Sequence, residues 1–92
     1  SSLKNEQLRI DFFIGFKDEH SMAALSFSNK LVDDNYNIKI DTSLKNEKNQ
    51  LKTALKLNAN YFIRFSDKII LKNLSNKKEF EIKTYQDLQK II

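Results

Sequence analysis

Ninety-two residues leave room for one hydrophobic core and no second domain, and 40% hydrophobic with 30% charged residues is a globular composition, too apolar for a disordered chain. The absence of Cys excludes a disulfide framework and a thiolate metal site and agrees with a cytoplasmic setting, the single His leaves zinc without a ligand set, and apolar runs as short as Phe12-Phe13-Ile14 exclude a membrane helix, which needs roughly 20 such residues. The formal charge of +4, from 14 Lys and two Arg, favours a polyanionic partner, although ten Asn, ten Ile and a single Gly also match the habits of an AT-rich genome.

The chain opens with Ser1-Ser2 and reads as a piece of a longer protein, with residues 1–8 as a linker and residues 9–92 as the domain. Arg9 to Ile14 is expected to be a strand; Phe12-Phe13-Ile14 is apolar on both faces, as in a parallel sheet covered on two sides, and Gly15-Phe16-Lys17 reads as the turn that follows. From Asp18 to Asp34 the apolar residues Ala24, Leu25, Phe27, Leu31 and Val32 recur at helical spacing, and Asn35 supplies a stop. Tyr36, Ile38 and Ile40 alternate with polar residues in a second strand. Leu44 to Leu57, introduced by Asp41-Thr42-Ser43, reads as a second helix with Leu44, Leu51, Ala54 and Leu55 along one side, and Asn58 ends it.

Tyr61 to Phe65 and Ile69 to Leu74 are two further strands. The three residues between them, Ser66-Asp67-Lys68, permit only an antiparallel hairpin. Phe80 and Ile82 alternate with Glu79, Glu81 and Lys83 in a half-exposed edge strand, and Thr84 caps a last short helix to Ile92. The order β-α-β-α-β-β-β-α predicts a three-layer α/β domain. Its five-stranded mixed sheet has strands one to three parallel, antiparallel hairpin strands beyond them, and helices on both faces.

No catalytic arrangement emerges. His20 lacks a Ser, Cys or Asp partner at any motif spacing, Gly15 stands alone where a phosphate loop or dinucleotide fingerprint would need several glycines, and Glu79 and Glu81 read as solvated surface. No cofactor is expected in this chain.

Lys45, Lys48, Lys52 and Lys56 fall within roughly 80° of one another at about 100° per residue, which makes a lysine stripe on the second helix. Such a stripe can follow a phosphate backbone, and it can equally be a solvated face. Ligands of open α/β sheets bind beyond the carboxyl ends of the parallel strands. Those ends carry Phe16 and Lys17, then Asp41 and Ser43, then Arg64, a mixture of one aromatic, cations, a hydroxyl and an acceptor that suits unpaired bases.

The segment Ala24 to Asp41, AALSFSNKLVDDNYNIKID, resembles the Ala-Leu-rich helix, helix stop and Asp-ended strand of the anticodon-binding domain shared by histidyl-, threonyl-, prolyl- and glycyl-tRNA synthetases. Its continuation resembles the histidyl version, on which Asp41, Ser43, Lys45, Gln50, Ala54, Leu57 and Ala59 match without a gap. LKNLSNKKEFEI is similar to the last hairpin of that family. The glycines usual at both helix ends are Asn35 and Asn58 here, and Lys45 replaces an Arg often found in the entry loop of the second helix.

The resemblance implies a domain that grips the anticodon stem-loop of tRNA(His) for ATP-dependent histidine activation by a catalytic domain outside this chain. That domain would bind ATP and Mg and carry the parent's homodimer contact. It also implies Phe16, Lys17, the Asp41 to Lys45 loop and the lysine stripe as RNA contacts. A synthetase-like regulatory subunit, or a protein-interaction module using the Glu79 to Lys83 edge, would keep the same fold.

Overall fold

The computed structural model describes residues 9–43 and 46–92. Five strands, β1 (Phe12–Phe16), β2 (Ile38–Ile40), β3 (Tyr61–Phe65), β4 (Ile69–Asn73) and β5 (Glu79–Ile82), form one sheet in the order β2-β1-β3-β4-β5. β1 pairs in parallel with β2 and β3, while β4 runs antiparallel to β3 and β5 to β4, as the connection lengths require. The helices are α1 (Ser21–Asp33), preceded by a 3-10 turn over Asp18–His20, α2 (Glu47–Lys56) and α3 (Tyr85–Ile91).

Strand alternation divides the core in two. Phe12, Ile14, Phe16, Ile63, Phe65, Leu71 and Ile82 meet Ala24, Phe27 and Leu31 of α1 and Leu88 of α3 on one face of the sheet. Phe13 and Phe62 meet Ala54 and Ala59 at α2 on the other. All five residues of β1 are buried, the result of helices lying over both faces of the central strand. The strand therefore continues through Gly15 and Phe16, which the sequence reading gives to a turn.

Each helix end has a local cause. Asn35 and Asn58 take the left-handed conformation at φ 70° and 58°. At the end of α1, Asn35 N–H donates to Val32 O at 2.9 Å and Tyr36 N–H to Leu31 O at 3.0 Å; at the end of α2, Asn58 N–H donates to Leu55 O and Ala59 N–H to Ala54 O, both at 3.1 Å. These paired bonds satisfy carbonyls that the helix leaves without partners. Asn46 caps the start of α2, its side chain accepting from Asn49 N–H at 2.9 Å. That cap places the helix start later than the Leu44 expected from periodicity, and Leu44 lies outside the described residues. At α3, Thr84 Oγ1 accepts from Asp87 N–H while the Asp87 carboxylate accepts from Thr84 N–H, a reciprocal box.

Leu25 and Val32 point outward from α1, at 46% and 53% exposure, and Leu55 is 50% exposed on α2. Only Ala24, Phe27, Ser28 and Leu31 fit the strip of α1 that faces the sheet, because a two-sided sheet offers each helix one narrow contact line. β5 is a sheet edge, as expected, with Glu79 and Glu81 on its solvated side 3.4 Å from Lys72 Nζ and 3.8 Å from Lys68 Nζ.

Candidate nucleic-acid interface

The carboxyl ends of β1, β2 and β3 lie together at one end of the sheet because the three strands are parallel neighbours. α2 leaves that end after β2 and returns along the sheet to the start of β3, so its amino terminus sits near the strand tips. Lys48 is in its first turn and Lys56 in its last. At about 1.5 Å per residue, Lys48, Lys52 and Lys56 stand roughly 6 Å apart along the axis.

All three lysines are exposed. They project away from the strip of Gln50, Leu51 and Ala54 that faces the sheet, so the row runs along the outer surface of the layer. Among the described residues none of the three has a carboxylate within 4.0 Å, whereas Lys68 and Lys72 are each paired with a glutamate across the β4–β5 hairpin. Lys45, the fourth member of the stripe read from the sequence, lies outside the described residues.

At the tips Lys17 is exposed, and its N–H donates to Phe65 O at 3.3 Å, prolonging the β1–β3 ladder. Asp41 N–H donates to Ile14 O at 2.9 Å, and Asp41 Oδ1 accepts from Ser43 N–H at 3.0 Å and Ser43 Oγ at 2.6 Å. Asp41 thereby folds the chain into a side-chain-closed turn that holds the Ser43 hydroxyl in place. Asp18, Glu19 and Asp67 add exposed carboxylates around the tips, and His20 Nε2 stands 4.0 Å from Asp67. The tips are therefore of mixed charge, with hydrogen-bonding groups for base edges. α2 adds a row of three lysines without a carboxylate partner among the described residues.

Two residues read as surface groups are buried. Phe16 is 7% exposed, its ring in the core beneath α1, and cannot stack on a base. Arg64 is 5% exposed on the α2 face, with Nη1 donating to Gln50 Oε1. Gln50, fully buried in the first turns of α2, also sends Nε2 to Phe16 O at 3.4 Å. Gly15 sits beside Arg64 in register, and a Cβ there would lie 2.5 Å from Gln50 Oε1.

This buried polar knot was not legible as a site. The available signal was a polar residue, Gln50, on the same helical face as Ala54. No aromatic side chain among the described residues is exposed, so the surface carries no ready stacking platform. Among the described residues there is also no group of three His, Cys, Asp or Glu arranged to hold a metal, and no helix long and apolar enough to cross a membrane.

No family model matches the chain, and no curated protein matches it. Solved structures do. The fold is similar to apo histidyl-tRNA synthetase from S. aureus, with TM-score 0.74 and 24% identity over 90% of this chain and 23% of that one. It is similar to histidyl-tRNA synthetase from Nostoc sp. PCC 7120, with TM-score 0.77 and 18% identity over 89% of this chain and 21% of that one. The RNA binding domain of threonyl-tRNA synthetase from Cryptosporidium parvum Iowa II superimposes at TM-score 0.75, with 15% identity over 88% of this chain and 22% of that one. The chain thus spans less than a quarter of the length of these synthetase chains, and what it shares with them is the α/β fold expected from the sequence resemblance.

Proposed function

We propose that this chain is an RNA-binding domain that receives a tRNA at the parallel strand tips and along the outer row of α2. The observation that carries the reading is the row Lys48, Lys52 and Lys56, exposed at regular spacing along one helix face and without carboxylate partners among the described residues. Ammonium groups left free in a regular row suit phosphates, whose neutralisation releases counterions. Lys17, Asp41 and Ser43 at the tips, with Lys45 in the same loop, would meet looped-out nucleotides through hydrogen bonds to base edges.

The fold shared with histidyl- and threonyl-tRNA synthetases supports a finer reading. In it the ligand is the anticodon stem-loop of tRNA(His), and the parent is a cytoplasmic, homodimeric histidine-tRNA ligase whose ATP and Mg sit in another domain. The test is binding of labelled tRNA(His) transcript by fluorescence anisotropy over a salt series. Three phosphate contacts at about 0.7–0.9 per phosphate predict an affinity loss of roughly 20- to 40-fold between about 50 and 200 mM salt. Replacing Lys48, Lys52 and Lys56 together by Ala should abolish most of that dependence. Affinity indifferent to salt, or unchanged in the triple variant, would overturn the proposal; equal affinity for an unrelated tRNA would overturn the histidine assignment alone.

A further inference from the structure

Arg64 differs from the lysines of the surface in being a cation inside the protein with no anion beside it among the described residues. A guanidinium carries its charge throughout the physiological range, and moving it out of water is costly unless a counter-charge and hydrogen bonds replace the lost hydration. Here the replacement is partial. Nη1 donates to the neutral carbonyl of Gln50, Nε is buried without any acceptor, and no carboxylate lies within 4.0 Å among the described residues. Nη2 makes no hydrogen bond to a described residue, and Arg64 keeps 5% of its surface exposed.

The guanidinium is also held in one pose. Gln50 is fully buried and tied to Phe16 O, and the bare Cα of Gly15 fills the space beside it so closely that a Cβ would meet Gln50 Cδ at 3.0 Å and Phe62 Cε1 at 2.9 Å. Gln50 belongs to the opening turns of α2, a ten-residue helix whose Asn46 cap engages Asn49 N–H. The preceding N–H groups, of Glu47 and Lys48, have no acceptor inside the helix. A fixed, undercompensated guanidinium is therefore bonded to a side chain from the opening turns of α2, a helix whose terminus itself favours negative charge.

We infer that Arg64 is the floor of a site for one phosphate group, between the ends of β1 and β3 and the first turn of α2. Nη2 is the contacting atom, and Gln50 and Gly15 position it. In the bound state the phosphate is that of a phosphodiester of the RNA, so this inference rests on the RNA-binding reading. The same chemistry would accept free inorganic phosphate.

The experiment follows the side-chain Nε–H resonance of Arg64 and the Gln50 amide by NMR in the intact protein, first with inorganic phosphate alone and then with the RNA stem-loop. RNA is expected to shift both resonances, and prior phosphate to weaken the RNA-induced change. An Arg64→Met variant, which keeps much of the buried volume without the charge, should still give a dispersed spectrum. It should bind RNA about tenfold more weakly, with a salt slope smaller by about 0.7.

If RNA binds with its lysine-dependent salt slope while the Arg64 and Gln50 signals stay still, the phosphate site is refuted and the RNA reading stands. If RNA does not bind but inorganic phosphate moves both signals, the site is upheld with free phosphate as its ligand, and the RNA reading falls. Signals unmoved by either probe refute the site outright.

Discussion

Replacing Gly15 by Ala tests whether the buried knot at the sheet end is as tight as the structure shows. The new Cβ would stand 2.5 Å from Gln50 Oε1 and 2.9 Å from Phe62 Cε1, both of them in buried side chains. Gln50 cannot turn away without abandoning Arg64 and the Phe16 carbonyl. Overpacking of this kind costs about 1–3 kcal/mol, and a broken charge-assisted hydrogen bond adds about 1.5–3 kcal/mol. Against this, Ala in a strand recovers about 0.5–1 kcal/mol relative to Gly. The balance is a loss of roughly 1.5–5.5 kcal/mol. In a domain of this size that lowers Tm by at least about 6 °C, measurable by circular dichroism with urea titration as a check. In a Gln50→Ala background, where most of the obstruction is gone, the same Gly15→Ala change should cost at least about 1 kcal/mol less. A Gly15→Ala protein within about 0.5 kcal/mol of wild type, or an equal cost in both backgrounds, would refute the steric account.

Three further predictions concern the helix ends. Asn35→Ala should cost about 1–2 kcal/mol and Asn35→Gly should match or exceed wild type, because φ is 70° there and Cβ disfavours that conformation; equal melting temperatures for the Ala and Gly variants would contradict it. The Tyr85 hydroxyl donates to Asp34 Oδ2 at 2.7 Å, and burial, then Asp34, raise its pKa above the usual value of about 10. The neutral phenol is therefore favoured by the folded state. Its contribution is fully present below about pH 10 and is lost as pH rises beyond, so wild type and Tyr85→Phe should converge in Tm under alkaline titration, whereas parallel curves would count against the contact. Asp87 has the opposite sense: the N–H groups of Lys83 and Thr84 hold its carboxyl below the usual range. Its support for α3 should persist above about pH 4 and vanish as pH falls through its lowered value, a loss that Asp87→Asn would show at neutral pH.

The architecture was legible because each local signal is strong and unopposed. Two Asn residues at helix ends, a three-residue hairpin and an alternating acidic edge strand fix stops, topology and faces before any tertiary contact is considered. What could not be read depends on neighbours remote in sequence. Phe16 follows a glycine and so looks like a turn, yet pairing with β3 as far as Phe65 carries the strand onward and buries the ring. Arg64 looks like a surface cation because burying one is costly. Its acceptor, Gln50, lies on a different element, and no hydropathy pattern reports that the two meet. The lysine row was readable from spacing alone, since exposure on one helix face needs no partner.

The two coverings of the sheet are unequally secured: among the described residues, four buried apolar residues pack on the α2 side, against eleven beneath α1 and α3. Native-state openings follow the weaker seam. α2 can lift as a unit while the opposite half stays shut, and amide exchange would register it as a separate, faster-exchanging segment. A ligand spanning that helix and the neighbouring loops would then act as a clasp, slowing local exchange well before it altered global unfolding.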